Sequence, residues 1–347
     1  MKVADTTATL PDPTLQELLA LARDRGADDV GWVPIDHPGL GAEAAEILSR
    51  FPWCRSLLTF VKRMNREPIR SPYRSLANVE FHETGHEVAR IGQRLVQILE
   101  ERGIRALNAT MGFPMEMDEF PGRSWVVSHK PVAIAAGLGR MGIHRNVIHP
   151  RFGSFILLGT VILDLAVPAQ LSPTPLDFDP CLGCKLCVAA CPTGALSPEG
   201  ELDFSACLTH NYREFLGGFS DWTESVVESR NAREYRHKVS DSETASMWQS
   251  LSFGANYKAA YCLAVCPAGE DVLAPWKADK AGFKKQILEP LYPTQETIYL
   301  PADPAAEPTV PTPSPPNSCR QLAMTSRPTT LPDSPHDRHI TSTRAPR

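Results

Sequence analysis

Four closely spaced cysteines constrain this chain more than any other feature. They follow the pattern C-x2-C-x2-C-x3-C-P and are Cys181, Cys184, Cys187 and Cys191, with Pro192 next. Bacterial ferredoxin-type iron–sulfur sites have this spacing, because one tight loop can direct three thiolates at a single cluster. Zinc sites more often use two separated C-x2-C pairs. The run therefore predicts a 4Fe-4S cluster and the transfer of single electrons.

Three further cysteines lie downstream and predict a second cluster. They are Cys207, Cys262 and Cys266, the last of which is followed by Pro267. In two-cluster ferredoxins, each motif gives its last cysteine to the cluster of the other motif. This rule assigns Cys181, Cys184, Cys187 and Cys266 to the first cluster. The second cluster is left with Cys191, Cys207 and Cys262.

The second site is one thiolate short of a complete set. The usual second motif carries a cysteine three residues before Cys262, and this chain has Ala259 at that position. The second site is therefore predicted to hold a 3Fe-4S cluster, or a 4Fe-4S cluster with a non-cysteine or open fourth position. An empty, degenerate site is the third alternative.

Composition limits the compartment and the partners of the chain. Its 347 residues suit two domains with appendages, and its net charge of -5 argues against a strongly nucleic-acid-binding surface. No apolar run reaches membrane-spanning length, and the residues after Met1 carry no twin-arginine or hydrophobic signal. These features predict a cytoplasmic protein that does not enter a membrane and whose thiols stay reduced.

Helical and strand patterns alternate in the first half of the chain. Apolar spacing predicts helices over 14–25 and 87–102, and β-rich apolar runs predict strands over 56–61 and 155–163. Alternation of this kind predicts an α/β domain over residues 1–170. A ferredoxin-like, two-cluster domain is predicted over 171–290, with an exposed helical insertion at 221–249. The Pro-, Thr- and Ser-rich segment 291–347 is predicted to be a disordered tail.

A glycine-rich loop precedes the cysteines. Gly137, Gly139 and Gly142 form G-x-G-x-x-G, a spacing that lets the backbone approach a flat or anionic ligand. A dinucleotide-binding loop would follow a strand. Here the preceding residues 132–136 are small and indicate a helix, so the nucleotide-binding interpretation is weak.

The residues around this loop resemble a known family. Ala-Gly-Leu-Gly ends at Gly139, and Asn146, His149-Pro150 and Phe152-Gly-Ser follow it, all ahead of the two-motif cysteine pattern. The chain resembles the cobalamin-dependent iron–sulfur reductases, which comprise the epoxyqueuosine reductases and the reductive dehalogenases. The resemblance extends over about residues 80–267, and it is most specific over 135–164 and 181–191.

The resemblance implies a nitroreductase-like α/β domain that binds a corrinoid (cobalamin), beside two clusters that supply its electrons. It implies corrinoid contacts from the loop and the segment after it, at Gly137, Gly139, Arg140, Gly142 and Asn146. It also implies a low-potential electron donor, either ferredoxin or flavodoxin.

Several residues depart from the family pattern. Arg123 stands where epoxyqueuosine reductases carry a proton-donating Asp, and a Pro-rich tail replaces a helical region that helps to bind tRNA. We therefore expect a small-molecule substrate rather than tRNA. His129 is the candidate catalytic acid, with a backbone-bonded residue at a helix N-terminus as its alternative role. His144 and His149 are expected to be loop-packing residues.

The sequence thus predicts a cytosolic oxidoreductase that passes electrons from a low-potential donor through iron–sulfur clusters to a bound corrinoid. The reduction it performs would resemble that of an epoxyqueuosine reductase or a dehalogenase. Two alternatives remain open. One is a non-catalytic ferredoxin-type electron-transfer or corrinoid-reactivating protein, and the other is a flavin- or nicotinamide-dependent reductase with ferredoxin clusters.

Overall fold

Helices and strands alternate along the first half of the chain, and helices dominate the second half. The computed structural model describes residues 12–119, 125–166, 171, 173–257, 260–292, 297–301 and 319–321. The α-helices are Asp12–Asp24 (α1), Ala42–Arg50 (α2), Arg66–Arg70 (α3), Arg74–Glu101 (α4), His129–Ala135 (α5), Leu186–Ala190 (α6), Phe204–Asn211 (α7), Gly217–Glu228 (α8), Ala232–Lys238 (α9), Asp241–Phe253 (α10), Tyr261–Ala264 (α11), Glu270–Ala278 (α12) and Lys280–Phe283 (α13). The strands are Asp29–Pro34 (β1), Ser56–Arg63 (β2), Ala106–Asn108 (β3), Arg140–Met141 (β4), Val147–Ile148 (β5), Ile156–Leu163 (β6), Ile298–Leu300 (β7) and Cys319–Gln321 (β8).

A four-stranded sheet forms the centre of the N-terminal region. Its strand order is β1-β2-β6-β3, and each neighbouring pair is antiparallel. Thr59 of β2 lies opposite both Gly31 and Thr160, which fixes the register of the three longer strands. The predicted strands over 56–61 and 155–163 are confirmed, and the chain has the mixed α/β fold that the alternation indicates.

Helices cover both faces of this sheet. Leu58 and Phe60 of β2 pack in the same core as residues of α1 and α4, whereas Leu57 and Val61 pack in the core that contains α5. These four side chains are fully buried. Burial of each such side chain is worth about 1.5–3 kcal/mol, so the two cores fix α5 against the sheet.

The longest helix, α4, begins earlier than the sequence predicts. Apolar spacing predicts a helix over 87–102, and in the structure Val88, Ile91, Leu95 and Leu99 do form its buried stripe. The helix nevertheless starts at Arg74. The polar first part of α4 contains Gly85, which weakens helix propensity, and packing of that turn under Met111 compensates.

The cysteine-rich region shares a hydrophobic core with the N-terminal region. Leu186, Val265 and Trp276 belong to the same cluster of buried side chains as Leu95 of α4 and Phe60 of β2. The predicted domain boundary near residue 170 therefore separates two parts of the sequence whose side chains pack together.

The predicted insertion at 221–249 is helical, since it contains parts of α8 and α10 and all of α9. The expectation that it is exposed needs a correction at α10, where Glu243, Met247 and Ser250 are buried. Arg213 is the reason. Its guanidinium binds Glu243 at 2.5 Å and Asp221 at 2.9 Å, and these ion pairs hold α8 and α10 against the end of α7.

The predicted disordered tail, 291–347, needs a correction at its start. Ile298 and Tyr299 of β7 are buried, and β7 pairs in parallel with β8. The Tyr299 ring stacks on His210 and lies under the Arg213 guanidinium. Burial of these two apolar side chains, with the Tyr299 ring packed on a buried cation, explains why this short stretch departs from the prediction. Residues 302–318 and 322–347 lie outside the described residues.

Within the described ranges, no helix is both long enough and apolar enough to cross a membrane.

Candidate functional site

A tight turn presents the first cysteines. Leu182, Gly183 and Lys185 have positive φ angles of 47°, 65° and 53°, and the Cys184 N–H donates to the Cys181 carbonyl at 3.0 Å. Helix α6 then begins at Leu186. Left-handed backbone over several residues wraps the loop into a small radius. The tight loop that the cysteine spacing predicts is therefore present, and the helix that follows it, α6, ends at Ala190, before Cys191.

Four cysteines surround a cavity with about 290 Å³ of empty space, part of which is open to solvent. They are the four thiols predicted for the first cluster, namely Cys181, Cys184, Cys187 and Cys266. The rest of the lining is mostly apolar and consists of Ile143, His144, Ile148, Pro180 and Pro267. The structure therefore brings Cys266 from beyond α11 to the loop that precedes α6, and the donor set and the cavity fit an iron–sulfur cluster.

Burial makes these thiols weak acids. It raises the pKa of Cys266 to about 11, although the Ser154 hydroxyl and the Ala268 N–H favour the thiolate. Burial and the neighbouring Cys262 and Cys266 also raise the pKa of Cys187. Thiolates are the form that binds iron, so cluster assembly must release protons from this cavity.

The hairpin formed by β4 and β5 covers one side of the cavity. Its turn is closed by a bond from the Gly142 N–H to the Asn146 carbonyl at 2.9 Å. At the tip, the Ile143 N–H donates to the Cys181 sulfur at 3.3 Å. Hydrogen bonds to cluster sulfurs are one means by which proteins set the reduction potential.

The three cysteines predicted for the second cluster form a second group beside the first. Cys191, Cys207 and Cys262 interact electrostatically: burial, together with Cys207 and Cys191, raises the pKa of Cys262 to about 12. Helix α7, capped by Asp203, carries Cys207, and α11 carries Cys262. Residue 259, where the usual motif has a cysteine, lies outside the described residues.

Lys130 of α5 faces this second group. Its ammonium donates to the Arg145 carbonyl at 2.6 Å. Burial and Cys191 raise the pKa of Cys207, whereas the charge of Lys130 lowers it. Sequence reasoning assigned no role to Lys130, and the only available signal was a cation that opens an otherwise apolar helix.

His129, the predicted catalytic acid, is fixed between two threonines. Its Nδ1 lies 2.8 Å from Thr160 Oγ1 and its Nε2 lies 2.9 Å from the Thr110 carbonyl. A carbonyl can only accept, so Nε2 carries the proton and donates it to Thr110. Burial lowers the pKa of the imidazole, which keeps the ring neutral. This arrangement matches the alternative role, a helix N-terminal residue bonded to backbone, and the catalytic role stays a prediction.

The three glycines of the predicted corrinoid loop lie against other parts of the chain. Gly137 has a φ of 74°, and a Cβ added there would lie 3.1 Å from the Thr174 carbonyl oxygen. Gly139 lies against the Ile148 carbonyl, and Gly142 against the side chains of His144 and Ile148. Close approach of backbone explains the glycines, as predicted, but the approaching atoms are the chain's own.

The two other predicted corrinoid contacts also have partners within the chain. Arg140 binds Asp177 at 2.6 Å. The Asn146 N–H donates to His144 Nδ1 at 3.1 Å, and its side-chain amide lies 3.4 Å from the His144 carbonyl. The corrinoid-binding role of these five residues stays a prediction. His149 binds Asp29 at 2.9 Å and stacks on Phe152, as a loop-packing residue would.

Comparison with known proteins defines the class first. Residues 174–197 match the family described as "4Fe-4S binding domain". This segment contains Cys181, Cys184, Cys187 and Cys191, so the chain is an iron–sulfur protein of the 4Fe-4S class.

Sequence relatives then identify the wider group. An epoxyqueuosine reductase from Bacillus cereus is 38% identical over 82 residues, which cover 24% of this chain and 20% of that protein. One from Salmonella typhimurium is 24% identical over 234 residues, which cover 66% of this chain and 56% of the relative. The chain is similar in sequence to the epoxyqueuosine reductases over these segments, and the predicted resemblance is confirmed. It matches about half or less of the length of these relatives.

Solved structures show a weaker likeness. A catabolic reductive dehalogenase has a TM-score of 0.48 and 16% identity, over 84% of this chain and 36% of that one. An epoxyqueuosine reductase with a tRNA-Tyr stem loop has a TM-score of 0.39 and 17% identity, over 58% of this chain and 57% of that one.

Proposed function

We propose that this protein is an iron–sulfur reductase that moves electrons through two neighbouring clusters to a substrate-reducing centre. One observation carries the proposal: four thiols, two of them buried and two half-buried, surround one cavity, and three more form a second group beside it. A single structural metal would need four ligands. Seven thiols in two adjacent groups are instead the arrangement of a two-cluster electron-transfer protein.

The contacts between the groups support an order of transfer. Cys187 of the first group interacts with Cys262 of the second, so the two clusters would lie next to each other. Lys130 of α5, the helix that leads into the glycine loop, acts electrostatically on Cys207 of the second group. Electrons would therefore enter at the first cluster and leave from the second, toward the α/β region.

The second cluster is proposed as 3Fe-4S or as 4Fe-4S with an open or non-cysteine position, because its group contributes three thiols. A low-potential ferredoxin or flavodoxin is the proposed donor, and the cytoplasm, where such donors and reduced thiols occur, is the proposed location.

A corrinoid is the proposed terminal cofactor, on the basis of the family resemblance. When bound, it would supply reduced cobalt for the reductive step. All five predicted contacts are engaged by the chain's own atoms, namely Gly137, Gly139, Arg140, Gly142 and Asn146. These residues do not by themselves form an open cofactor-binding surface. The proposed corrinoid site and the nitroreductase-like character of the α/β domain therefore rest on the family resemblance.

The proposed substrate is a small molecule. One solved relative is an epoxyqueuosine reductase in complex with a tRNA stem loop. The net charge of -5 is unfavourable for binding a polyanion, so tRNA is the less favoured substrate here.

A second function is favoured by one specific observation. Both nitrogens of His129 have partners, as do the predicted corrinoid contacts. A ferredoxin-type electron-transfer or corrinoid-reactivating protein would need neither a free acid nor an open cofactor loop.

Corrinoid loading distinguishes the two functions. The protein is purified anaerobically, titrated with hydroxocobalamin and followed by its visible spectrum, and then treated with a low-potential chemical reductant. The proposal predicts stoichiometric uptake and reduction of the bound cobalamin through the clusters.

A matched pair of variants tests the electron path. Cys184→Ser should lose the first cluster and slow cobalamin reduction, whereas Cys54→Ala, in the core away from both thiol groups, should reduce it as the wild type does. Clusters that become reduced in a protein that takes up no cobalamin would refute the reductase and support the electron-transfer function.

A further inference from the structure

His144 is a buried histidine with a donor that has no acceptor. It is 6% exposed and lines the cavity surrounded by the four cysteines of the first group. Among the described residues, its Nε2 has no hydrogen-bond partner. A buried polar atom without a hydrogen-bond partner destabilises the fold, unless another group forms that hydrogen bond.

The hydrogen bonds of the hairpin fix which nitrogen carries the proton. The Asn146 N–H donates to His144 Nδ1 at 3.1 Å, so Nδ1 must present a lone pair. The ring is then neutral, and its single proton is on Nε2. Burial and the nearby charge of Lys130 lower the pKa of His144 to about 4, which agrees with a neutral ring.

The tip of the hairpin holds the imidazole rigidly. Arg145 has a φ of 60°, which turns the backbone back so that Asn146 reaches His144. A Cβ added at Gly142 would lie 2.9 Å from His144 Cε1, so glycine is needed for the ring to pack there. The same tip already directs the Ile143 N–H at the Cys181 sulfur.

We infer that His144 Nε2–H donates a hydrogen bond to a sulfur of the first iron–sulfur cluster and thereby raises its reduction potential. A hydrogen-bond donor stabilises the negative charge that the cluster acquires with the electron. The hydrogen bond therefore stabilises the reduced cluster more than the oxidised cluster. The inference rests on the proposed occupancy of the first site. It assigns the 142–146 turn to cluster tuning, a role distinct from the predicted corrinoid contact.

The test is a redox titration monitored by electron paramagnetic resonance (EPR) on iron-loaded protein. His144→Phe removes the donor and keeps a planar ring. At a fixed potential, the ratio of reduced to oxidised first cluster should fall about tenfold, which corresponds to about 59 mV for one electron. His144→Gln, which retains an N–H donor, should restore part of this shift.

Two controls make the result specific. His86→Phe changes an exposed histidine on α4 and should leave both potentials unchanged. The second cluster of His144→Phe should keep its wild-type potential. A His144→Phe protein with full iron content and an unchanged first-cluster potential would overturn the inference and leave the proposed function intact.

A second measurement applies if His144→Phe does not hold its cluster. Pulsed EPR on wild-type protein labelled with ¹⁵N-histidine should detect a weak coupling between the reduced first cluster and a histidine nitrogen. Absence of that coupling would overturn the inference. A wild-type chain that cannot be loaded with iron would instead overturn the proposed function itself.

Discussion

At the scale of single residues, burial decides what each thiol can do. Cys54 is 3% exposed in the core beneath the sheet, and burial raises its pKa to about 12. Cys262 and Cys266 have similarly raised values, but they belong to groups in which iron can replace the proton. Cys54 is separate from both thiol groups, so its proton can be lost only at a cost in stability.

We predict that Cys54 makes the fold sensitive to alkaline pH. The folded pKa is raised above the ordinary value of 9.0, so its contribution to stability is complete below about pH 9 and is lost as the pH rises toward about 12. Within this pH range, the free energy of unfolding falls by about 1.4 kcal/mol per pH unit. Thermal unfolding of wild type and Cys54→Ala at about pH 8 and about pH 10 measures this loss. The other titrating groups are the same in both proteins, so their contributions cancel in the comparison. Parallel pH profiles for the two proteins would contradict this account.

The roles of single residues could be predicted only in part. The seven cysteines of the two groups follow from spacing, because a cluster requires thiols at fixed intervals in the chain. Lys130 and the Nε2–H of His144 were missed as components of the site. Their roles depend on which atoms the fold places beside them, and no pattern within the sequence records that.

At the scale of elements, Arg213 connects helices that would otherwise project into solvent. Its side chain is 2% exposed, and it binds Asp221 of α8 and Glu243 of α10. The sequence predicts that this polar insertion is helical. It does not predict the packing of these helices, because a single arginine at the end of α7 organises it.

We predict that Arg213→Met lowers the free energy of unfolding by about 3–5 kcal/mol, because it leaves the carboxylates of Asp221 and Glu243 without their buried cation. Thermal unfolding under anaerobic conditions measures the change. The matched control is Arg90→Met, since Arg90 pairs with Glu87 on the exposed face of α4 and should change stability by less than about 0.5 kcal/mol. Equal effects of the two substitutions would show that the buried ion pairs are not what holds α8 and α10.

At the scale of the whole molecule, one hydrophobic core joins the sheet region to the cysteine region. Leu95 and Phe60 share it with Leu186 and Val265, so the loops that carry the thiols are braced by the long helix α4. The sequence predicts both regions and their order, but the shared core follows from long-range packing that periodicity does not report. The second thiol group is linked to α5 by the charge of Lys130 on Cys207, and this link is the one that the proposed electron route uses.

Iron and acid-labile sulfide per chain, measured on anaerobically purified and reconstituted protein, test the central claim most directly. If both sites are occupied, we expect about seven or eight irons per chain with matching sulfide. Cys266→Ser should lose the iron and sulfide that belong to the first cluster. A wild-type content of about four irons per chain would contradict the two-cluster account. Iron without sulfide would contradict the iron–sulfur assignment altogether.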